Sequence, residues 1–78
     1  MNENIDLSLK NLFSEVSNRE ITSNTKDIRE FGMDSLQFIT FAVKIEEKFE
    51  IEFEFDDIEN IVPFSINNIK NYILKKRG

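Results

Sequence analysis

The chain has 78 residues, which is enough for one hydrophobic core and a single domain, 1–78, but too few for a deep enclosed active site. It contains no cysteine and no histidine, so disulfides and thiolate chemistry are excluded, and the commonest general base and metal ligand are missing. The net charge of −5 at pH 7 disfavours nucleic acid as a partner.

The first predicted element is a helix over Asp6–Ser17, followed by a long loop. Four apolar residues of the helix recur at helical spacing: Leu9, Leu12, Phe13 and Val16. From Asn18 to Met33 the apolar residues thin out and no clean period survives. We expect a loop pinned to the core by Ile28 and Phe31, too long for a tight helical hairpin.

A second helix is predicted over Ser35–Phe49, and its start is the most informative part of the sequence. Asp34 is a favourable N-cap residue, and Gln37 three positions later completes the pattern of a capping box. Ser35 is then the first helical residue and points outward. A phosphate esterified to its hydroxyl would lie beside unpaired backbone N–H groups at the positive end of the helix dipole, so this geometry suits a phosphodiester attachment site.

Two sets of apolar residues follow the second helix. The first set forms the predicted core stripe: Leu36, Ile39, Val43 and Phe49. The second set, Phe38, Phe41 and Ile45, widens the apolar face, so the helix is either the most buried one or has an apolar flank for contacts. For Phe38 and Phe41 we favour packing in the core.

The remaining elements are an extended segment, a helical turn and a last helix. Residues 51–56 alternate between apolar and acidic, as a strand would, but no second strand is evident to pair with them. We expect instead an extended loop that inserts Ile51 or Phe53 into the core, then a short helical turn over Asp56–Asn60. Ser65 is a favourable N-cap for a final helix that ends near Lys76. The predicted fold is all-α, with three main helices and one short helix.

The sequence resembles the acyl carrier and peptidyl carrier proteins over nearly its whole length. The resemblance combines the helix order, the size, the acidity, a late helix and one motif with the residues that follow it: Gly32-Met33-Asp34-Ser35-Leu36, then Ile39, Ala42, Val43, Ile45, Glu46, Glu47 and Phe49. It implies a small four-helix bundle in which Ser35 receives 4'-phosphopantetheine from coenzyme A through a separate phosphopantetheinyl transferase. The protein would then be a carrier and not an enzyme.

The resemblance also implies partner enzymes and a surface that they recognise. The expected partners are the transferase, an acyl- or aminoacyl-loading enzyme and downstream synthases or transferases, all acting on a monomer. The docking residues beside the attachment point would be Met33, Asp34, Leu36 and Gln37. Acidic residues further along would steer basic partners towards the site: Glu46, Glu47, Glu50, Asp56 and Asp57.

Two positions depart from the pattern of carriers in fatty acid synthesis. The residues two and five places after the motif serine are commonly acidic there, whereas this chain has Gln37 and Thr40. This makes the first turns of the helix less negative. It favours a dedicated pathway, such as polyketide or nonribosomal peptide synthesis, over standard fatty acid synthesis.

Other functions explain less of the sequence. An unmodified acidic adaptor that docks a basic partner would account for the charge but not for the motif. Eight of the fifteen acidic residues fall between Glu46 and Glu59. These residues could also serve only to keep the protein soluble. An enzyme using Asp56 and Asp57 would need a cleft to shift their pKa values. A calcium loop lacks its required spacing, so no metal site is predicted.

The sequence also lacks the signals of a membrane or secreted protein. No apolar run approaches the roughly 20 residues that cross a bilayer, and the first residues have neither a basic nor an apolar region. We expect a cytoplasmic protein without membrane insertion.

Overall fold

The computed structural model describes residues 4–77, which form four α-helices and one short 3-10 helix. The α-helices are α1 (Ile5–Ser17), α2 (Ser35–Phe49), α3 (Phe55–Asn60) and α4 (Ile66–Arg77), and the 3-10 helix spans Ile28–Phe31. The predicted all-α fold of three main helices and one short helix is therefore confirmed. Within these described residues, no helix is both long enough and apolar enough to cross a membrane.

Helix α1 lies against α2 and α4 and supplies the centre of the core. The Asn4 side chain caps its start by accepting a hydrogen bond from the Leu7 amide at 3.0 Å. Leu9 and Phe13 are fully buried. The Phe13 ring meets the ring of Phe41 from α2 edge to face, with centroids 5.9 Å apart, so this pair fixes how the two helices pack.

The long loop between α1 and α2 contains the 3-10 helix, an element that the sequence analysis did not predict. The Asp27 side chain caps it, and Gly32 ends it in the left-handed conformation at φ 93°. Ile28 is fully buried, and its amide donates to the Phe64 carbonyl at 2.9 Å. The half-buried ring of Phe31 contacts that of Phe13, so Ile28 and Phe31 pin the loop as predicted.

Helix α2 buries a different face from the predicted stripe. The exposed fractions of Leu36, Ile39 and Val43 are 74%, 59% and 45%, so these three residues were wrongly placed in the core. The buried residues of the helix are Phe41, Ala42, Ile45 and Phe49, and Phe38 is partly buried against them. Both rows have helical spacing. The ring of Phe13 from α1 packs on Phe41 and the ring of Phe64 packs on Phe38, so this second row faces the core.

The chain after α2 is extended and then helical. Residues 51–54 form no strand, and Ile51 and Phe53 both pack, partly buried, against the core, as the loop interpretation predicted. Phe53 stacks on Tyr72 of α4 with ring centroids 5.1 Å apart. Helix α4 begins after Ser65, whose hydroxyl accepts from the Asn68 amide at 3.2 Å. Its core side chains are Ile66, Ile69 and Ile73.

Candidate functional site

The candidate site lies where the 3-10 helix turns into α2. Gly32 is left-handed, and Asp34 follows in an extended conformation as the N-cap of α2. This turn brings Ser35 to the first helical position, where its side chain is exposed. A non-glycine residue at position 32 would be strained at that φ, and its Cβ would lie 3.0 Å from the Arg19 guanidinium Nε. The motif glycine therefore has a structural reason.

The predicted capping box at the start of α2 is present. The Asp34 carboxylate accepts from the Gln37 amide at 2.8 Å, and the Gln37 side-chain oxygen accepts from the Asp34 amide at 3.2 Å. The first helical hydrogen bond runs from the Phe38 amide to the Asp34 carbonyl at 2.9 Å. The amides of Ser35 and Leu36 come before any carbonyl that α2 can offer them, so their N–H groups favour an anion at this end of the helix.

A shallow groove of about 250 Å³ runs beside Ser35. Its lining residues are Arg29, Met33, Asp34, Ser35, Phe38 and Ile39. Met33 is only 6% exposed and belongs to the core cluster, whereas we had predicted that it contacts partners from the surface. Its apolar side chain packs in the core, so little of it is left for a partner to contact.

Arg29 is a residue of this site that the sequence analysis missed. Its guanidinium binds the Asp27 carboxylate with two hydrogen bonds, of 2.8 Å from Nε and 2.6 Å from Nη2. This contact lowers the pKa of Asp27 to about 2, and it raises the pKa of Arg29. The guanidinium also lies 5.3 Å from the centre of the Phe38 ring. The only signal in the sequence was an Asp-x-Arg spacing within a loop.

The predicted docking residues on α2 differ in what their side chains do. Leu36 is exposed, while Gln37 is half-buried in the capping box. Glu46 accepts a hydrogen bond from the Phe53 amide at 2.8 Å, so it holds the segment after α2. Glu47 is exposed, roughly 18 Å along the helix axis from Ser35.

The two acidic residues in the first turn of α3, Asp56 and Asp57, also differ in their contacts. Asp56 is exposed, but the Asp57 carboxylate accepts a hydrogen bond from the Tyr72 hydroxyl at 2.8 Å and lies 3.9 Å from the Lys76 ammonium. Desolvation and the Asp57 contact raise the pKa of Tyr72 to about 12. A wider depression of about 560 Å³ opens at this end of α3 and α4, and Ser35 is not among its lining residues.

Comparison with known proteins identifies the class to which this fold and site belong. The family described as "Phosphopantetheine attachment site" matches residues 8–71, a range that includes Ser35 and the groove. The chain belongs to this family of carrier proteins, which bear 4'-phosphopantetheine covalently and work with modifying and partner enzymes.

Individual relatives agree with that assignment. The chain is similar to the acyl carrier protein of Campylobacter concisus, with 35% identity over 77% of this chain and 75% of the relative. The acyl carrier proteins of Campylobacter fetus and Campylobacter jejuni are 36% and 38% identical, each over 72% of this chain and 73% of their own. No solved structure matches the chain significantly. The protein therefore has the role of a phosphopantetheine-bearing carrier.

Proposed function

We propose that Ser35 is the residue to which 4'-phosphopantetheine is attached, and that the chain delivers an acyl or aminoacyl group to partner enzymes. The observation that carries this proposal is the exposed Ser35 hydroxyl at the first position of a capped helix. The residues around it fit the group, because the amides ahead of the first helical bond favour its phosphate and the groove offers apolar contact to its arm.

The prosthetic group supplies the thiol that this chain lacks, and an acyl group is held on that thiol as a thioester. The chain's own part is to present the arm and be recognised. A protein without cysteine has no thiol of its own to compete for the acyl group. This supports the role of a carrier whose chemistry is performed by its partners.

The partners that we propose are a phosphopantetheinyl transferase, a loading enzyme and downstream synthases or transferases, all meeting a cytoplasmic, single-domain monomer. Each must approach Ser35, and the exposed row that begins beside it is apolar: Leu36, Ile39 and Val43. We call this row the α2 stripe. Asp34 and Gln37 flank its start, and Glu47 and Asp56 offer exposed charge further away. Glu46, Glu50 and Asp57 would add negative charge to this docking surface, whereas Met33 is buried in the core.

The uncharged residues on the first turns of α2 bear on the pathway. Gln37 takes part in the capping box, and the Thr40 hydroxyl donates to the Leu36 carbonyl at 3.0 Å, so neither adds negative charge. A partner that docks here meets apolar and neutral side chains. We propose a specialised thioester pathway, such as polyketide or nonribosomal peptide synthesis. Transfer by fatty acid synthase enzymes at the rate of a standard carrier would contradict this.

The attachment is tested by intact-protein mass spectrometry after incubation with coenzyme A, magnesium and a broad-specificity phosphopantetheinyl transferase. The wild type should gain one phosphopantetheine, and Ser35→Ala should gain none. Thr40→Ala is the matched control, because it removes another exposed hydroxyl from the same helix. If several transferases add nothing to the wild type, the proposal fails and the chain acts as an unmodified adaptor.

A further inference from the structure

The groove beside Ser35 has an uneven distribution of charge. Met33, Phe38 and Ile39 give it an apolar lining, and its two charged lining residues are Arg29 and Asp34. A phosphodiester on Ser35 would therefore bring a second negative charge close to the Asp34 carboxylate. Two like charges so close together repel each other, so a nearby cation matters for the position of the phosphate.

Arg29 is already held in place beside this position. Two hydrogen bonds attach its guanidinium to Asp27, and the Phe38 ring lies 5.3 Å beneath it. A long side chain normally loses rotamer entropy when it binds an anion. Here the folded protein has already restricted the side chain. Binding an anion therefore costs Arg29 less rotamer entropy than it would cost an unrestrained arginine.

The contact with Asp27 leaves Arg29 able to bind a second anion. A guanidinium has five N–H donors, and Asp27 takes two of them. The same carboxylate also accepts from the backbone amides of Arg29 and Phe64, both at 3.0 Å. Because these amides share in stabilising the Asp27 charge, the guanidinium is not fully neutralised by its partner.

We propose that Arg29 is a binding residue for the phosphodiester at Ser35, donating hydrogen bonds to it and directing the arm along the groove. The proposal rests on attachment at Ser35. Arg29 then binds the phosphate and offsets its repulsion by Asp34. The apolar side chains of Phe38 and Ile39 contact the arm. Arginine suits this role because its planar donors match phosphate oxygens.

Nitrogen-15 NMR of the loaded and unloaded wild type tests this directly. The chain has three arginines, so their Nε–H signals are few enough to assign. On loading, the Arg29 signal should shift while that of Arg77 stays in place. An unmoved Arg29 signal would overturn the proposal. So would a shift confined to Arg19, whose side chain lies against Gly32 and does not line the groove.

Phosphorus-31 NMR of loaded variants provides the second arm. Arg29→Gln should move the phosphodiester resonance away from its wild-type position. Lys26→Gln is the matched control, because it makes the same charge change on an exposed residue that does not line the groove. An unchanged resonance in Arg29→Gln, or an equal change in both variants, would overturn the role. Mass spectrometry separates the two failures: an unloaded wild type contradicts Ser35 attachment and this inference together, whereas loading with unmoved signals contradicts only Arg29.

Discussion

The Asp27 carboxylate accepts a hydrogen bond of 3.0 Å from the backbone amide of Phe64, which lies 37 positions later in the chain. Next to it, the Ile28 amide donates to the Phe64 carbonyl at 2.9 Å. These contacts tie the 3-10 helix to the segment that leads into α4. The turn that presents Ser35 is therefore anchored by a segment far along the chain and not only by its own loop.

Replacing Asp27 should weaken the fold in a pH-dependent way. The carboxyl pKa is lowered to about 2 in the folded state, so ionised Asp27 stabilises the fold above its unfolded pKa near 4, and this contribution is lost as pH falls towards 2. Because Arg29 is more than half exposed, we expect Asp27→Asn to cost about 1 kcal/mol at pH 7. Urea unfolding at pH 7 and pH 2 checks this; an equal loss at both would contradict it.

Two isoleucines of α2 should differ in their effect on stability. Ile45 is fully buried, so Ile45→Ala leaves a cavity and should lower the free energy of unfolding by about 3 kcal/mol. Ile39 is 59% exposed, so Ile39→Ala should change it by no more than about 0.5 kcal/mol. Denaturant titration of both variants measures the contrast. A larger loss of stability in Ile39→Ala than in Ile45→Ala would show that the predicted core stripe is the buried face.

The same Ile39→Ala variant should slow loading of the prosthetic group. If the transferase contacts the α2 stripe, losing this apolar side chain should lower kcat/KM about fivefold, equivalent to about 1 kcal/mol. Leu74→Ala on α4 is the control, since Leu74 is also exposed but lies on another helix. Added salt should leave this fall in kcat/KM nearly unchanged, because the contact is apolar. Equal rates for the two variants would exclude the stripe as a docking surface.

The segment from Glu52 to Pro63 should open more readily than α2. The described side chains of α3 are exposed or half-buried, and its N-cap lacks a side-chain hydrogen bond. We expect faster hydrogen exchange at its amides than at those of α2, and faster still in Tyr72→Phe, which removes the 2.8 Å bond to Asp57. Protection equal to that of α2 would show a rigid segment.

The start of α2 could be predicted from sequence because it depends on local contacts. Asp34 and Gln37 satisfy each other's amides within one turn, so the capping box needs no other part of the chain. The exposure of Ser35 follows from the same turn. These features carry the candidate site, which is why the sequence was enough to propose Ser35 as the attachment residue.

The buried face of α2, the 3-10 helix and the position of Arg29 could not be predicted, because they depend on contacts between residues far apart in the sequence. Periodicity allowed two apolar rows on α2, and only the packing of Phe13 on Phe41 and of Phe64 on Phe38 decides between them. The 3-10 helix was not predicted, because the Asp27 carboxylate that caps it is held by the amide of Phe64, far along the chain. Arg29 was missed for the same reason, since its place beside the groove depends on that anchored helix.

The central claim is attachment at Ser35, and peptide mapping of the loaded protein tests it most directly. Trypsin cleaves after Arg29 and Lys44 and releases residues 30–44, whose only hydroxyl side chains are Ser35 and Thr40. Tandem mass spectrometry should find the phosphopantetheine on this peptide, with fragments placing it on Ser35. Its location on Thr40, or on any other peptide, would contradict the account.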